Sequence, residues 1–147
     1  MPRYQRPPWI VHHVVNPIIA VLAGRLGLDM RGAWVLTVPG RRTSQPRSVP
    51  VNPLVLNGER YLIAPRGETE WVRNLRAAGR GTLRKGKHEL SFQAEELPDD
   101  QKPPVLRDYL RRWGRETAAQ FGVSGPDVPE DELRRIAPNH PVFRLRA

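Results

Sequence analysis

The sequence predicts a mainly β domain of the α+β class, built as an antiparallel sheet or barrel with peripheral helices. Short apolar runs follow one another through tight turns, above all at Asn57-Gly58, a pair that supplies the positive φ angles of a two-residue hairpin. The chain has 147 residues, the length of one domain, and no run of about 18 apolar residues. We therefore expect a single domain over residues 1–147 without a membrane-spanning segment.

The first elements are a helix and a strand. Apolar residues of Trp9–Leu28 fall near one helical face, which predicts an N-terminal helical segment over residues 1–30. Pro17 should kink or break that helix because it lacks a backbone N–H. Trp34–Thr37 is a short apolar run that the turn signal Pro39-Gly40 ends, so we expect a first strand there.

Two further strands are predicted before the next helix. Arg47–Leu56 has the composition of a strand. Its Pro50 and Pro53 favour an edge position or a bulge, since proline cannot donate to a central ladder. Tyr61–Ala64 follows the Asn57-Gly58 turn and completes a hairpin.

A short helix is then expected near Thr69, which can cap its N-terminus. Trp71, Leu75 and Ala78 fall on one face of this helix, which should therefore pack against the core. Gly79 stands where a glycine commonly ends a helix, because it accepts the left-handed conformation.

A second hairpin should join Thr82-Leu83 to His88–Ala94. The intervening run Gly81–Lys87 matches seven positions of a phosphate-binding P-loop. His88, however, stands where a Ser or Thr must reach magnesium, and the next residues alternate as a strand instead of forming a helix. A polar hairpin turn therefore explains these glycines and lysines better.

The C-terminal third is predicted to be helical before it ends in a strand. Pro103-Pro104 can start a longer helix, because proline is favoured in a first helical turn. The apolar side of that helix carries Leu106, Tyr109, Leu110, Trp113 and Phe121. Pro129–Ile136 predicts a short helix and Val142–Leu145 a last strand. Strands joined by hairpins argue against a doubly wound nucleotide-binding fold.

The net charge of +9 is concentrated in the middle of the chain. Residues 37–87 carry 11 basic and 3 acidic side chains, whereas residues 88–147 carry 9 basic and 11 acidic ones. The basic segment predicts an anionic partner, either nucleic acid, a membrane surface, or a small ligand with phosphate or carboxylate groups. For the cluster Arg41, Arg42 and Arg47 we favour a binding role over a solvated surface.

The sequence contains no self-contained catalytic machinery. It has no cysteine, and its four histidines show no metal-ligand spacing, so we expect no metal site. It also lacks the Gly-x-Ser-x-Gly elbow of serine hydrolases. Glu68 and Glu70 could form an acid–base pair, but Glu68 is better explained as a favourable charge at a helix N-terminus. An enzyme built on this chain needs a cofactor to supply the chemistry, and its catalytic residues are unknown.

The most specific pattern lies in residues 36–51. A strand ends, a glycine turn follows, and three arginines, two hydroxyl residues and turn amides come together before the chain becomes a strand again. Arginine binds phosphate and carboxylate through two parallel hydrogen bonds, and turn amides add a nest for an oxyanion. On physical grounds alone, this segment is predicted to be an anion-binding loop.

Several segments resemble the deazaflavin-dependent nitroreductase family, which consists of small actinobacterial proteins that use coenzyme F420. The pattern Leu-Thr-x-x-Gly-Arg-Arg-Thr-x-Gln-Pro-Arg-x-x-Pro lies at 36–50, Trp-x-x-Asn-Leu-x-Ala at 71–77, and His-Pro-Val-Phe at 140–143. The resemblance covers residues 34–94 and the last strand. It implies an antiparallel split β-barrel of the flavin-reductase and pyridoxamine-oxidase type.

The resemblance implies coenzyme F420, an 8-hydroxy-5-deazaflavin with a phosphate and an oligoglutamate tail. The phosphate and tail would meet the basic loop, whose charge matches the many carboxylates. The ring would lie beside the following strand and against residues 63–66, with further contacts from the helix. The implied cofactor-binding residues are Arg41, Arg42, Thr43, Arg47, Ser48, Val49, Pro50, Asn52, Ile63, Ala64, Pro65, Arg66, Trp71 and Asn74.

The implied function is an F420-dependent oxidoreductase that transfers a hydride to a hydrophobic electrophile such as a quinone, an enone or a nitroaromatic compound. Three residues depart from the family pattern. Ser44 replaces a usual Gly, Pro65 stands where a Ser is frequent, and Asn52 stands where some relatives that reduce nitro drugs have Tyr. These departures bear on substrate range and turnover more than on the cofactor.

Other functions stay open at this point. A non-catalytic protein on the same barrel could hold the deazaflavin, a flavin or a fatty acid, and Pro65 favours this alternative because it removes a hydroxyl and an N–H. A nucleic-acid-binding module is the third hypothesis, but no recognition helix or stacking motif supports it, so no nucleic-acid partner is expected. Trp71 could equally be a core anchor and Asn74 a surface or capping residue.

Location and assembly follow from the same observations. We expect a cytoplasmic protein, either monomeric or a homodimer. The apolar run 14–22 could rest on a membrane surface as a peripheral contact.

Tyr109 and Trp113 are core residues by spacing, although one of them could line a substrate pocket.

Overall fold

The computed structural model describes residues 33–147, without the side chains of residues 115 and 116. The predicted N-terminal helix at 1–30, and with it the expected membrane contact, lies outside the described residues. In the part of the chain that the structure describes, no helix has the length and apolar composition needed to cross a membrane.

Seven strands of the described chain form one curled antiparallel sheet, a half-barrel. The strands are β1 (Trp34–Pro39), β2 (Pro46–Val51), β3 (Leu54–Leu56), β4 (Glu59–Ile63), β5 (Arg80–Lys85), β6 (His88–Glu96) and β7 (Val142–Arg146). They are arranged in the order β2-β1-β5-β6-β7-β4-β3. The predicted mainly β, antiparallel architecture is thereby confirmed.

The expected strand over Arg47–Leu56 is wrong in one respect. The chain leaves the ladder at Asn52-Pro53 and forms two strands, β2 and β3, which lie at opposite edges of the sheet. Pro53 cannot donate to a ladder, which accounts for the interruption. The predicted edge position is confirmed for Pro50, which lies in the edge strand β2.

Both predicted hairpin turns are present. Asn57 (φ 53°) and Gly58 (φ 78°) join β3 to β4 in the left-handed conformation that the pair predicted. Gly86 (φ 61°) lies in the turn between β5 and β6, so the segment with the P-loop-like spacing is a hairpin.

The described residues form three α-helices, α1 (Glu70–Ala78), α2 (Pro103–Phe121) and α3 (Glu130–Ile136). The first two pack on the sheet, and α3 packs against α2. Gly79 ends α1 in the left-handed conformation (φ 69°), and its N–H donates to the Leu75 carbonyl at 2.8 Å. Thr69 occupies the N-cap position as expected, but its hydroxyl makes no capping hydrogen bond.

Helix α2 begins at Pro103 as predicted, yet it is not continuous. Trp113 has non-helical angles (φ −128°, ψ 19°), and the Thr117 hydroxyl donates to the Trp113 carbonyl at 2.8 Å. A hydroxyl that bonds a carbonyl one turn earlier is a recognised cause of helix bending. The break lies between the half that carries Tyr109 and the half that carries Gln120.

Two apolar clusters hold the described fold together. One fills the half-barrel and includes Leu36, Leu62, Leu75 and Phe143. The other lies under α2 and α3 and includes Leu54, Tyr109, Phe121 and Leu133. Between them, the two clusters supply the apolar side of the cleft described next.

Candidate functional site

A cleft of about 1050 Å³ opens beside strand β2 and helix α1. Its walls are formed by the β1–β2 loop, strand β2, residues 63–66 after β4, the start of α1, and two side chains of α2. All fourteen residues predicted to bind a cofactor line this one cleft. The structure therefore brings together segments that lie more than 30 residues apart in the sequence.

The β1–β2 loop is a tight turn. The Gly40 N–H donates to the Gln45 carbonyl at 2.7 Å, and the Ser44 N–H donates to the Gly40 carbonyl at 2.9 Å. Ser44 has a φ of 61°, in the left-handed region that favours glycine. The loop thus keeps the turn conformation that a glycine would adopt more easily, although a serine stands there.

Arg41 fastens this loop to helix α1. Its backbone N–H donates to Asn74 Oδ1 at 3.1 Å, and its guanidinium donates to the same oxygen at 2.9 Å and to Glu70 Oε2 at 2.7 Å. Asn74 is 5% exposed. The interpretation of Asn74 as a surface or capping residue is therefore wrong, because its amide oxygen is a buried acceptor that positions the basic loop.

The other arginines of the cleft are arranged differently. Arg42, Arg47 and Arg66 are exposed and line the cleft, and none of them forms an ion pair with another described residue. A guanidinium group without an ion-pair partner in the protein is suited to bind the phosphate or carboxylate group of a ligand. Arg41 therefore mainly holds the β1–β2 loop against helix α1. Arg42, Arg47 and Arg66 remain available to donate hydrogen bonds to an anionic ligand.

Two buried oxygens in the cleft lack hydrogen-bond partners among the described residues. They are Asn52 Oδ1, at the end of β2, and Thr69 Oγ1, before α1. Buried polar atoms nearly always have a partner, and two further such atoms, Ser91 Oγ and Arg144 Nε, lie outside the cleft. The two oxygens in the cleft are available to a bound ligand or water. Ser48 differs, since its hydroxyl already pairs with the Thr37 hydroxyl at 2.9 Å.

The cleft wall at residues 63–66 is hydrogen-bonded to the C-terminal segment on the side away from the cleft. The Ala64 N–H donates to the Pro141 carbonyl at 3.0 Å, and the Ala64 carbonyl accepts from the Gly67 N–H at 3.1 Å and from His140 Nδ1 at 3.0 Å. Because a carbonyl can only accept, Nδ1 carries the imidazole proton. Gly67 lies so close to Asn139 that a Cβ would stand 3.0 Å from the Asn139 carbonyl oxygen.

His140 itself is 5% exposed, and its ring lies 4.4 Å from the Phe121 ring. Burial lowers the pKa of His140, the nearby Lys102 lowers it further, and the hydrogen bond to Ala64 opposes both effects. The imidazole is therefore neutral at pH 7 and acts as a donor to the cleft wall.

The apolar side of the cleft comes from aromatic and aliphatic residues. Trp71 lines the cleft and packs on Phe143, with ring centroids 6.1 Å apart, so it is both a core anchor and a cleft residue. Tyr109 is 1% exposed and also lines the cleft, which agrees with the alternative that a residue of this helix contributes to a pocket.

The carboxylates Glu68 and Glu70 do not form an acid–base pair. Glu68 accepts two hydrogen bonds from Arg76, at 2.8 and 2.9 Å, and lies outside helix α1. Glu70 pairs with Arg41, and hydrogen bonding by the partner arginine lowers the pKa of each carboxyl. Both therefore stay ionised near neutral pH, so neither can serve as a proton donor.

Some cleft residues were not among the predicted cofactor-binding residues. Seven further residues line the cleft: Val38, Gly40, Val51, Thr69, Glu70, Tyr109 and Gln120. Spacing carried a signal for Glu70, which lies four residues before Asn74, a separation that shares a helical face, whereas the break at Trp113 removes that relation between Tyr109 and Gln120.

The sequence model of the F420H2-dependent quinone reductase family matches residues 11–126. No curated protein matches the sequence of this chain. Several solved structures share its fold, among them a protein of unknown function from Agrobacterium tumefaciens (17% identity, TM-score 0.58). That match covers 97% of this chain, and the chain spans only 59% of the Agrobacterium protein.

This chain spans most of the length of two other proteins of similar structure. A conserved hypothetical protein from Mycobacterium tuberculosis has 18% identity and a TM-score of 0.55, with 98% of this chain and 86% of that chain covered. A putative pyridoxamine 5′-phosphate oxidase from Listeria innocua has 14% identity and a TM-score of 0.52, with 89% and 90% covered. These similarities confirm the predicted split-barrel fold of the pyridoxamine-oxidase type.

Proposed function

The chain belongs to the F420H2-dependent quinone reductase family, and from this premise we propose that it reduces a hydrophobic quinone, enone or nitroaromatic compound with coenzyme F420 bound in the cleft. One observation carries the proposal. The fourteen residues implied by the resemblance line a single cleft, which has exposed arginines at the β1–β2 loop and an apolar wall near Trp71 and Tyr109.

The residues present fit this cofactor. Ligand sites generally measure about 300–1,000 Å³, and a cleft of about 1050 Å³ lies just above that range, as a large cofactor requires. Arg42, Arg47 and Arg66 would hold the phosphate and the carboxylates of the tail. The unsatisfied Asn52 Oδ1 and Thr69 Oγ1 can each accept a hydrogen bond from a ligand.

Coenzyme F420, when bound in its reduced form, supplies a hydride from C5 of the deazaflavin ring. The protein contributes orientation through the arginine forks and the rigid wall at Ala64 and Pro65. Trp71, Ile63 and Tyr109 exclude water from the apolar side. Because Glu70 stays ionised and pairs with Arg41, we assign no proton-donating role to it, and water can supply the proton.

The test is anaerobic mixing of the protein with reduced F420 and a short-chain quinone, following the absorbance of the oxidised deazaflavin. We expect acceptor-dependent oxidation that Arg47→Ala weakens through a higher KM for F420. Arg134→Ala is the matched control, since Arg134 is an exposed arginine on α3, paired with Glu130 and outside the cleft. No oxidation with quinone, enone or nitroaromatic acceptors would overturn the proposed reaction.

A second candidate is a non-catalytic protein that holds a deazaflavin, a flavin or a fatty acid. Pro65 favours it, because this cleft residue offers neither a side-chain hydroxyl nor a backbone N–H to a substrate. Binding of F420 without oxidation in the same assay would support this candidate. Tighter binding of FMN or of a fatty acid than of F420 would identify the other ligands.

A further inference from the structure

Glu70 is the one carboxylate among the described residues that line the cleft. It lies close to Arg41 and 3.9 Å from Arg73, and its side chain is 75% exposed. The hydrogen bond and charge of Arg41 lower the pKa of Glu70, with smaller effects from Arg73 and Arg42. A negative charge thus lies among the arginines that line the cleft.

This carboxylate occupies a donor that an anionic ligand could use. Arg41 Nη1 donates both to Glu70 Oε2 at 2.7 Å and to Asn74 Oδ1 at 2.9 Å. A phosphate or carboxylate that approaches Arg41 competes with Glu70 for one Nη1 N–H and for the charge of the guanidinium, which has five N–H donors in all. No such competition occurs at Arg42 and Arg47, which have no ion-pair partner among the described residues.

We propose that Glu70 is an internal competitor for the anionic part of the ligand. It holds Arg41 while no ligand is bound, gives way when a phosphate or carboxylate enters, and accelerates the release of that group by returning to Arg41. As far as the ligand is F420, the inference rests on the proposed function. The effect selects for multiply charged ligands, since a single carboxylate gains little by replacing another.

Glu70 could instead stabilise the β1–β2 loop by holding Arg41, and this role predicts the opposite change in ligand affinity when the carboxylate is removed. If Arg41 needed Glu70 to stay ordered, removing the carboxylate would weaken ligand binding. Asn74 makes this unnecessary, because its buried oxygen accepts from both the backbone N–H and the guanidinium of Arg41. The sign of the change on substitution therefore decides between a competitor for the ligand and a stabiliser of the loop.

The chain provides a matched control two residues away. Glu68 is also an exposed glutamate in an ion pair with an arginine, at 2.8 Å from Arg76, but it does not line the cleft. Glu70→Gln and Glu68→Gln remove the same charge from the same surface. Only the first removes a carboxylate that competes for a cleft arginine.

The first experiment measures release of oxidised F420 by stopped-flow fluorescence after dilution. We expect Glu70→Gln to slow dissociation roughly two- to five-fold, the range given by an exposed ion pair, and to lower Kd, while Glu68→Gln matches the wild type. Release as fast as or faster than the wild type in Glu70→Gln would overturn the inference. Circular dichroism should show all three proteins folded, because both side chains are exposed.

A second experiment uses inorganic pyrophosphate and isothermal titration, so that it does not depend on F420. Pyrophosphate should bind Glu70→Gln more tightly than the wild type and Glu68→Gln. Equal affinities, or no binding to any of the three proteins, would overturn the inference. If F420 binds to none of them, the proposed function fails, whereas the pyrophosphate affinities still decide the role of Glu70.

Discussion

The two sides of the cleft are held in place by different interactions. The β1–β2 loop is exposed and depends on turn hydrogen bonds and on the two hydrogen bonds from Arg41 to Asn74. The wall at residues 63–66 begins with the buried Ile63 and Ala64, and it is hydrogen-bonded to the C-terminal segment. Removing an exposed arginine beside the loop should therefore change ligand affinity with little effect on stability, whereas substitutions behind the wall should change stability as well.

The largest effect is expected from Phe143→Ala. Phe143 is 1% exposed on β7 and packs against Trp71, so its removal leaves a cavity behind the cleft. The free energy of unfolding should fall by about 3–5 kcal/mol in urea titrations. Val55→Ala, at a residue that is 52% exposed, is the control and should change it by less than about 0.5 kcal/mol. Equal effects of the two substitutions would refute the contrast between the buried and exposed regions.

The next largest effect on stability should come from His140→Phe, which removes the donor to the Ala64 carbonyl. The Gly67 N–H remains as a partner, so the carbonyl stays hydrogen-bonded and we expect a loss of about 0.5–1.5 kcal/mol in the free energy of unfolding. F420 should also bind more weakly, because Ala64 and Pro65 line the cleft. Unchanged affinity in the folded variant would show that the wall does not need this hydrogen bond.

The same histidine gives the wild type a pH dependence. Burial lowers the pKa of folded His140, with Lys102 adding to the effect, so the unfolded chain binds more protons as the pH falls below about 6.5. The contribution of His140 to stability is thus complete above that pH and is lost on acidification through the lowered pKa. Urea midpoints at several pH values should show this loss for the wild type and a smaller one for His140→Phe.

On the loop side, Arg42→Ala should reduce affinity without reducing stability. An exposed arginine that bonds a phosphate is worth about 1.5 kcal/mol, roughly a ten-fold change in Kd for F420 or pyrophosphate. Higher salt should narrow the difference from the wild type, because salt screens exposed charges. A lower urea midpoint in this variant would contradict the separation of affinity from stability.

The smallest effect is expected from Ser44→Gly. Ser44 has a φ of 61°, a conformation that costs a non-glycine residue about 1 kcal/mol, and the greater freedom of glycine in the unfolded chain offsets part of the gain. A small rise in thermal midpoint is the predicted result. A fall would show that the serine side chain stabilises the turn.

Local signals in the sequence predicted much of this molecule. Asn57-Gly58 fixed a hairpin through its φ angles, Gly79 marked the end of α1, and the arginine-rich loop marked one side of the cleft. Sequence did not reveal how those parts are fastened together. Arg41 and Asn74 are 33 residues apart, and Ala64 and His140 are 76 apart, so no periodicity links them.

The predictions that were wrong also depended on contacts between residues that are distant in the sequence. Pro53 signalled an irregular strand, but only the tertiary arrangement shows that β2 and β3 separate to opposite edges of the sheet. Thr69 has the residue type and position of a cap, yet its hydroxyl is buried without a bond beside the cleft. Glu70 was weighed as an acid, whereas its contact with Arg41 makes it a charge partner.

The central claim is that the exposed arginines and the buried wall form one binding site for F420. Its most direct test is a fluorescence titration of oxidised F420 into the wild type, Arg47→Ala, Phe143→Leu and the control Arg134→Ala. We predict weaker binding for the first two variants, with lower stability only for Phe143→Leu, and wild-type behaviour for Arg134→Ala. Equal affinity in all four proteins, or no binding to the wild type, would contradict the claim.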